Sequence, residues 1–430
     1  MSRDGTSAGG AGGSADNFGT PTSCRAGFAG RGTTFTRPTE RYTLASDADP
    51  RRSLGSARIY LDHNATAPLR PEVRAAMLSS LGPPANPSSA HREGARARSA
   101  VEGARAQVAA LIGAAPAEIV FTGGASEANN LALRGAAAGR PIVTTAIEHA
   151  SVLETARAVA APLTVVPVDA AGRVDAERVI AACDGATRLA SIGLANGEVG
   201  SVAPLAAITG GLRGRGIPVH GDAAQAAGRI PVDVRALGVD LLSLSAHKMG
   251  GPAGIGALWV RRGVELAAQV TGGPQERGRR AGTESVAAIV GFGVAAELAR
   301  SELTEGAAAA AALVERLWTG LRARVPAVVR NGPAEGPRLP NTLNVSFPGC
   351  AGESLLVLLD LAGVAVSLGS ACAAGAAEPS HVLLAMGRDR EAARSGVRLS
   401  VGPGTTAADI DRVLDLLPAL VAQARGEAAA

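Results

Sequence analysis

From Ile59 onward the chain repeats a pattern of short apolar strand, loop and helix. The runs EIVFT (118–122), PIVTTAI (141–147), LTVVPV (163–168), RLASIGLA (188–195), IPVHGD (217–222) and DLLSLSA (240–246) have the length and apolar content of buried strands. Helical stretches such as LAAITGGLRGRG separate them, and after the first run the Gly-rich turn in GGASEANNLALRGAA opens a helix. Strands alternating with helices predict βαβ units and a mostly parallel sheet, the α/β class. Ligands of such sheets gather at the carboxyl ends of the strands. Ser126, His149, Asn196, Asp222, Gln225, Ser245, His247 and Lys248 all fall there.

After about Glu302 the texture changes. GAAAAAALVERLWTGLRARV reads as one long helix, LPNTLNVSFPG as a strand, and ESLLVLLDLAGVAVSLGSACA as a helix leading into a strand and loop. GVRLSVGP is a further strand and TAADIDRVLDLLPALVAQAR a closing amphipathic helix, so a smaller α+β domain is expected. The expected divisions are an extension over 1–57, a segment over 58–71 packing with the small domain, a large domain over 72–303 and a small C-terminal domain over 304–426. Residues 1–57 are rich in Gly, Ser, Thr and Arg with no apolar period, so they cannot bury enough surface to offset their ordering entropy and are expected to be disordered. They also lack the apolar core of a secretory signal.

Hydrophobic residues make up 47% of the 430-residue chain and aromatics only 2%, so the core must be built from Ala, Val, Leu and Ile. The 42 basic and 38 acidic residues are interspersed, with no basic stripe for nucleic acid and no apolar run long enough for a bilayer. Cys24, Cys183, Cys350 and Cys372 form no CxxC pair and fit neither a zinc site nor a disulfide framework, which favours a reduced, cytoplasmic setting and no metal.

Lys248 is the only lysine; every other basic side chain of this type is arginine. Arginine stays protonated and is a poor nucleophile, whereas a desolvated lysine can lose its proton and attack a carbonyl to form a Schiff base. Its neighbours suit a pyridoxal phosphate. Ser126 and the backbone N–H groups of the Gly-rich turn can hold a phosphate at a helix start. Asp222 can keep a pyridine nitrogen protonated, or simply cap a helix. His149 can stack on a ring and shuttle protons, or be an ordinary core histidine. Ser245 and His247 beside Lys248 complete a combination far more specific than any one part.

On these residues the sequence resembles the cysteine desulfurases of the NifS/IscS type, in the class V aminotransferase superfamily of fold-type I pyridoxal-phosphate enzymes. Matching stretches include IYLDHNATAPLRPEV, EIVFTGGASEANN, VHGDAAQAAGRIPVDV, SAHKMGGPAGIGALWVRRG, GGPQERGRRAGTES and SLGSACAAGAAEPSHVL, and the resemblance runs from about Tyr60 to about Ala424. It implies a Schiff-base role for Lys248, Asp222 at the ring nitrogen, His149 stacked on the ring, Gln225 at the phenolic oxygen, and phosphate contacts from Ala125, Ser126, Ser245 and His247. Thr283 would reach the phosphate of the other subunit in a homodimer. Arg398, with Asn196, would bind the carboxylate of L-cysteine, and Cys372 would take the sulfur as a persulfide, leaving L-alanine. A sulfur-acceptor protein, in iron–sulfur cluster or thio-cofactor and tRNA assembly, is the implied partner. Selenocysteine lyase, another class V aminotransferase and a weakened scaffold paralogue are the alternatives. Three positions depart from the family pattern: Gly197 stands for the second asparagine of an NNE motif, Ser126 for threonine, and Leu194 for the histidine of the IscS branch.

Overall fold

The computed structural model describes residues 58–82, 86–368 and 378–426. The extension expected over 1–57 and Cys372 therefore lie outside the described residues. In chain order the elements are β1 (Ile59–Tyr60), α1 (Pro71–Ser80), α2 (Arg92–Leu111), β2 (Ile119–Thr122), α3 (Ala125–Ala137), β3 (Ile142–Thr145), α4 (Ala150–Val159), β4 (Leu163–Val166), α5 (Ala176–Ala182), β5 (Leu189–Gly193), α6 (Leu205–Leu212), β6 (Val219–Asp222), α7 (Val234–Leu237), β7 (Leu241–Ser245) and β8 (Gly256–Val260). They continue as α8 (Val286–Ser301), α9 (Leu303–Arg324), β9 (Val329–Asn331), β10 (Thr342–Ser346), α10 (Gly352–Leu361), β11 (Val364–Ala365), α11 (His381–Ala385), α12 (Arg390–Arg394), β12 (Gly396–Ser400) and α13 (Ala407–Ala424).

Seven strands form one sheet in the order β2-β8-β7-β6-β5-β3-β4. The pairs from β7 through β4 are parallel, while β8 runs against both β7 and β2. β2 consequently points the same way as the other parallel strands, and β8 alone is reversed. The central strands β3, β5 and β7 are buried on both faces, which is why they read as continuous apolar runs. The edge strand β4 exposes Leu163–Val165 in part, and Val165 is 42% exposed. Each expected strand is present but shorter than its apolar run, because the flanking residues enter turns; Glu118, for example, belongs to a 3-10 turn.

A second, antiparallel sheet has the order β12-β10-β9, and β1 pairs with β11 in parallel. Ile59 and Leu61 pack in one apolar cluster with Leu317, Leu343, Leu355, Val397 and Val413, so the first described strand shares a core with the C-terminal elements. The large sheet has its own clusters, built on residues such as Ile192, Leu242, Leu244 and Phe292 on one face and Leu131, Leu133 and Leu258 on the other.

Because β2, β3, β5, β6 and β7 are parallel, the loops after them open on one edge of the sheet. Gly256 makes this edge compact. A Cβ there would stand 2.6 Å from the Gly124 carbonyl carbon and from the Leu244 oxygen, so only glycine lets the turn before α3 pack on the start of β8. Gly256 pairs with both Thr122 and Ser245, which brings the start of α3 beside the end of β7.

Candidate active site

Lys248 ends a 3-10 turn, Ala246–Lys248, directly after β7. Its Nζ donates to the carbonyl oxygens of Asn64 (2.6 Å) and Ala65 (2.8 Å). Burial and the nearby Arg229 and Arg398 guanidiniums push the amine down to about 8, against the pull of Asp62 and Asp222. A lysine held this way is a free base within reach of neutral pH, which is what attack on a carbonyl requires.

Asp222 ends β6. One oxygen accepts from Asn129 Nδ2 at 2.7 Å and the other from the Ala224 N–H at 2.9 Å. The same Asn129 amide donates to Ser151 Oγ (2.9 Å), which lies 2.8 Å from His149 Nδ1. The Ser151 N–H also donates to that nitrogen, at 3.1 Å. Nδ1 is therefore an acceptor, and the neutral ring carries its proton on Nε2. Burial lowers the His149 pKa, with Asp222 opposing and Lys248 and His381 adding to the shift. His149 also caps α4, and its side chain is exposed, so it is not the ordinary core histidine of the alternative reading. Beneath Asp222, His220 is fully buried between Ser191 Oγ (2.8 Å) and Ser243 Oγ (2.9 Å) and is pushed down to about 4, hence neutral.

Ala125 and Ser126 are the first residues of α3, and the Ser126 carbonyl accepts from Asn130. Ser245 is buried at the end of β7. His247 lies 3.2 Å from Thr66 Oγ1, and burial beside Lys248 and Arg229 pushes it down to about 4. Gln225 donates to the Asn64 carbonyl at 3.0 Å and accepts from Arg229. Asn196 folds back on its own loop, donating to Ile147 O (2.9 Å) and accepting from the Glu198 and Val199 N–H groups (2.9 Å each). Thr283 is exposed on the loop before α8.

Arg398 lies in β12, 4% exposed. Its Nη2 donates to Asp62 Oδ1 (2.8 Å) and its Nη1 to Gly197 O (3.2 Å), while its buried Nε has no partner. Gly197 sits under Gln225: a Cβ at this position would lie 2.6 Å from the Gln225 carboxamide carbon and nitrogen. The space that a side chain at 197 would claim is already taken by Gln225.

The motif reading assigned no role to several residues of this site. Asn64, 1% exposed, ties four segments together: its carbonyl serves Lys248 and Gln225, and its amide nitrogen donates to Gly197 O and Thr342 Oγ1 (2.8 Å each). Its Oδ1 accepts from Asn341 at 2.9 Å. Arg229 donates to the His63 and Lys248 carbonyls, and burial pushes it down to about 9. Glu148 is pushed up to about 8 by burial, accepting from Thr145 Oγ1 (2.6 Å) and the Gly193 N–H (2.7 Å). Glu198 is pushed up to about 7 by burial, against a hydrogen bond from Ser380. Asp62 and Asn64 stood in plain view in the polar run after the first strand, YLDHNAT; nothing in the local pattern marks Glu148 or Arg229.

Described residues before 369 and after 377 both reach the residues of this site. Ser367 pairs through its backbone with Arg398, and His381 Nε2 lies 3.0 Å from the Glu148 carbonyl oxygen. Of the described cysteines, Cys183 is buried with its thiol pushed up to about 11, the wrong direction for a nucleophile, and Cys350 is buried in the C-terminal core. Among the described residues no group of His, Cys, Asp and Glu could hold a metal ion, and no helix is long and apolar enough to cross a membrane.

A family model of class-V aminotransferases matches residues 59–413. The chain belongs to this family, among the cysteine desulfurases of the NifS/IscS type. A cysteine desulfurase of Cereibacter sphaeroides is 45% identical over 379 residues, covering 86% of this chain and 97% of that one. Among solved structures, a NifS-like protein superposes with a TM-score of 0.79 at 37% identity, covering 85% of this chain and all (100%) of the other. SspA in complex with cysteine matches with a TM-score of 0.71 at 35% identity, over 81% of this chain and 100% of that chain. The α/β fold with its small antiparallel sheet is thus that of the NifS-like enzymes, the activity is cysteine desulfuration, and the family uses pyridoxal phosphate.

Proposed function

We propose that this desulfurase holds pyridoxal phosphate on the carboxyl edge of the seven-stranded sheet, takes L-cysteine between that edge and Arg398, and collects the sulfur on Cys372. The observation that supports this best is the convergence of Lys248, Asp222 and Arg398 with the flanks of the Cys372 segment. The residues fit the group. Lys248 offers a half-buried amine of lowered basicity for its aldehyde. Asp222 offers a carboxylate oriented by Asn129 for the ring nitrogen. The start of α3, with Ser126 and the adjacent Ser245 and His247, offers N–H and O–H donors for the phosphate. When bound, pyridoxal phosphate supplies an electron sink for the substrate α-carbon.

The protein's own groups then divide the work. Arg398 binds the substrate carboxylate through donors not fully used in the protein, a planar fork suited to two carboxylate oxygens. Lys248, once its amine is free, takes the α-proton and returns it. The Cys372 thiolate attacks the substrate sulfur; the carbon–sulfur bond breaks with its electron pair going to carbon, and protonation there completes L-alanine. Neutral His149, with its proton on Nε2, can hold and return a proton at that nitrogen. The persulfide passes to an acceptor protein of iron–sulfur, thio-cofactor or tRNA assembly in the cytoplasm. The working unit is a homodimer in which the exposed Thr283 completes the partner's phosphate site, and each chain divides into the large and small domains expected from its pattern. Borohydride treatment of the yellow holoenzyme is expected to fix a pyridoxyl group on Lys248, and L-cysteine to yield equal amounts of alanine and Cys372 persulfide. A protein that pyridoxal phosphate leaves colourless, or a persulfide mapped to another cysteine, overturns the proposal.

A further inference from the structure

The loop Pro274–Gly282, between β8 and α8, is held by charges that the desulfurase mechanism does not use. Glu276 and Arg277 both adopt left-handed backbone (φ 48° and 58°), a conformation that non-glycine residues rarely keep without support. The support is visible. The Glu276 carboxylate is buried and receives a two-pronged grip from Arg105, Nη1 at 2.7 Å and Nη2 at 2.9 Å. It also accepts from the Phe121 N–H at 2.9 Å, at the heart of β2. Arg105 in turn donates to Ile119 O (3.0 Å) and Glu102 (3.0 Å), and its guanidinium lies 4.7 Å from the centre of the Phe121 ring. Four residues further on, Arg280 Nε donates to Glu127 Oε1 at 2.9 Å. Glu127 lies in the first turn of α3 and accepts from the Gly123 N–H at 2.7 Å. One loop is thus clamped at two points to the strand and the Gly-rich turn that open the phosphate-facing helix, and the next residue after it is Thr283.

We infer that Arg105 and Glu276 are positioning residues for the cofactor: their buried ion pair, with Arg280–Glu127, fixes Thr283 and the start of α3 where a phosphate ester is to be received. This rests on the pyridoxal-phosphate reading of the site. A bidentate pair suits the task because its planar geometry fixes orientation as well as distance.

The test is a double-variant cycle on cofactor affinity. Glu276→Gln keeps an acceptor for the Phe121 N–H and removes the charge that holds Arg105. Measured by visible absorbance during dialysis of holoenzyme and by titration of pyridoxal phosphate back into the protein, Glu276→Gln is expected to weaken the cofactor at least tenfold. KM for L-cysteine at saturating cofactor is expected to stay within about twofold. Thr283→Ala also weakens the cofactor, and the double variant is expected to lose little more than the worse single, since one change acts through the other. A merely structural role would make the losses additive, or lower the melting temperature with no change in cofactor affinity, and either result overturns the inference. Should Glu276→Gln fail to fold, Arg280→Gln, at the partly exposed second pair, carries the same cycle with the same outcomes. Wild-type protein that binds no pyridoxal phosphate defeats the reading of the site and the inference with it; tight binding by wild type and variant alike defeats the inference alone.

Discussion

Arg105 and Arg398 are almost equally buried, 3% and 4% exposed, yet they are finished to different degrees. Arg105 spends all three nitrogens on Glu276, Glu102 and Ile119 O. Arg398 spends Nη2 on Asp62 and Nη1 on a backbone carbonyl at the longer distance of 3.2 Å, and leaves Nε unmatched. Desolvating a cation is costly, so an interior arginine is normally satisfied in full. The one that is not is the one for which a ligand carboxylate is expected. Between these two arginines, completeness of hydrogen bonding, more than burial or charge, marks the one with donors left for a ligand.

The sharpest way to break this contrast is at the least replaceable group. Lys248→Ala removes both the amine and the proton acceptor, and alanine formation is expected to fall by at least about 10³-fold. Apo-protein stability is expected to hold or rise, because an amine with lowered basicity is lost. Cys372→Ser is expected to keep the spectral response to L-cysteine and lose sulfide and persulfide. An aminotransferase would behave otherwise, since it needs the lysine and not the thiol, and sulfur release by Cys372→Ser at the wild-type rate would refute the assignment.

The two arginines come next. Arg398→Gln is expected to lower kcat/KM for L-cysteine by roughly 10–100-fold, as about 1.5–3 kcal/mol of charge-assisted bonding is lost. Arg105→Gln leaves Glu276 buried without its cation and is expected to cost about 3–5 kcal/mol of stability, read as a drop in the urea midpoint. If Arg398→Gln were the more destabilising of the two, completeness would not be the distinguishing property.

The contrast is visible in only part of the sequence. Strand-helix alternation exposes the parallel sheet and its active edge because period and length are local properties. The reversal of β8 is not legible: GALWV reads like any buried strand, and direction depends on what it pairs with. Lys248, Asp222, His149 and Arg398 could be singled out as candidates because each sits at a strand end or within a specific motif. Asn64 lies in a visible polar run, but neither its role nor that of Arg229 is legible, since their value lies in carbonyls and side chains that meet only after the N-terminal segment, β7 and β10 have converged. Glu276 hides likewise; an acid in a Gly- and Arg-rich loop looks solvated until Arg105, 171 residues earlier in the chain, is found beside it.

Two smaller effects sharpen the picture. Only the free-base amine attacks an aldehyde, so the rate at which apo protein takes up pyridoxal phosphate is expected to rise with pH through about 8 and level off above it. A midpoint near the ordinary lysine value of about 10.4 would show that the amine is not desolvated. Gly197→Asn tests the departure from the family pattern. The motif alone suggests that restoring asparagine should tighten the cofactor, but the geometry points the other way. The new Cβ would fall 2.6 Å from the Gln225 carboxamide and drive it off Asn64 and Arg229. A loss of about fivefold in cofactor affinity is expected, on the order of one hydrogen bond; Gln225→Ala is expected to cause a similar loss by itself, with little added by Gly197→Asn in the double variant.

The solitary lysine gives this protein a built-in chemical address. Amine-directed reagents have one side-chain target in the whole chain, a half-buried amine held by the Asn64 and Ala65 carbonyls. Coupling there at mildly alkaline pH is expected to block cofactor uptake, and bound pyridoxal phosphate to protect the amine, so one labelled position reads out occupancy of the site. Immobilisation chemistry aimed at surface amines, by contrast, would find no lysine there to hold.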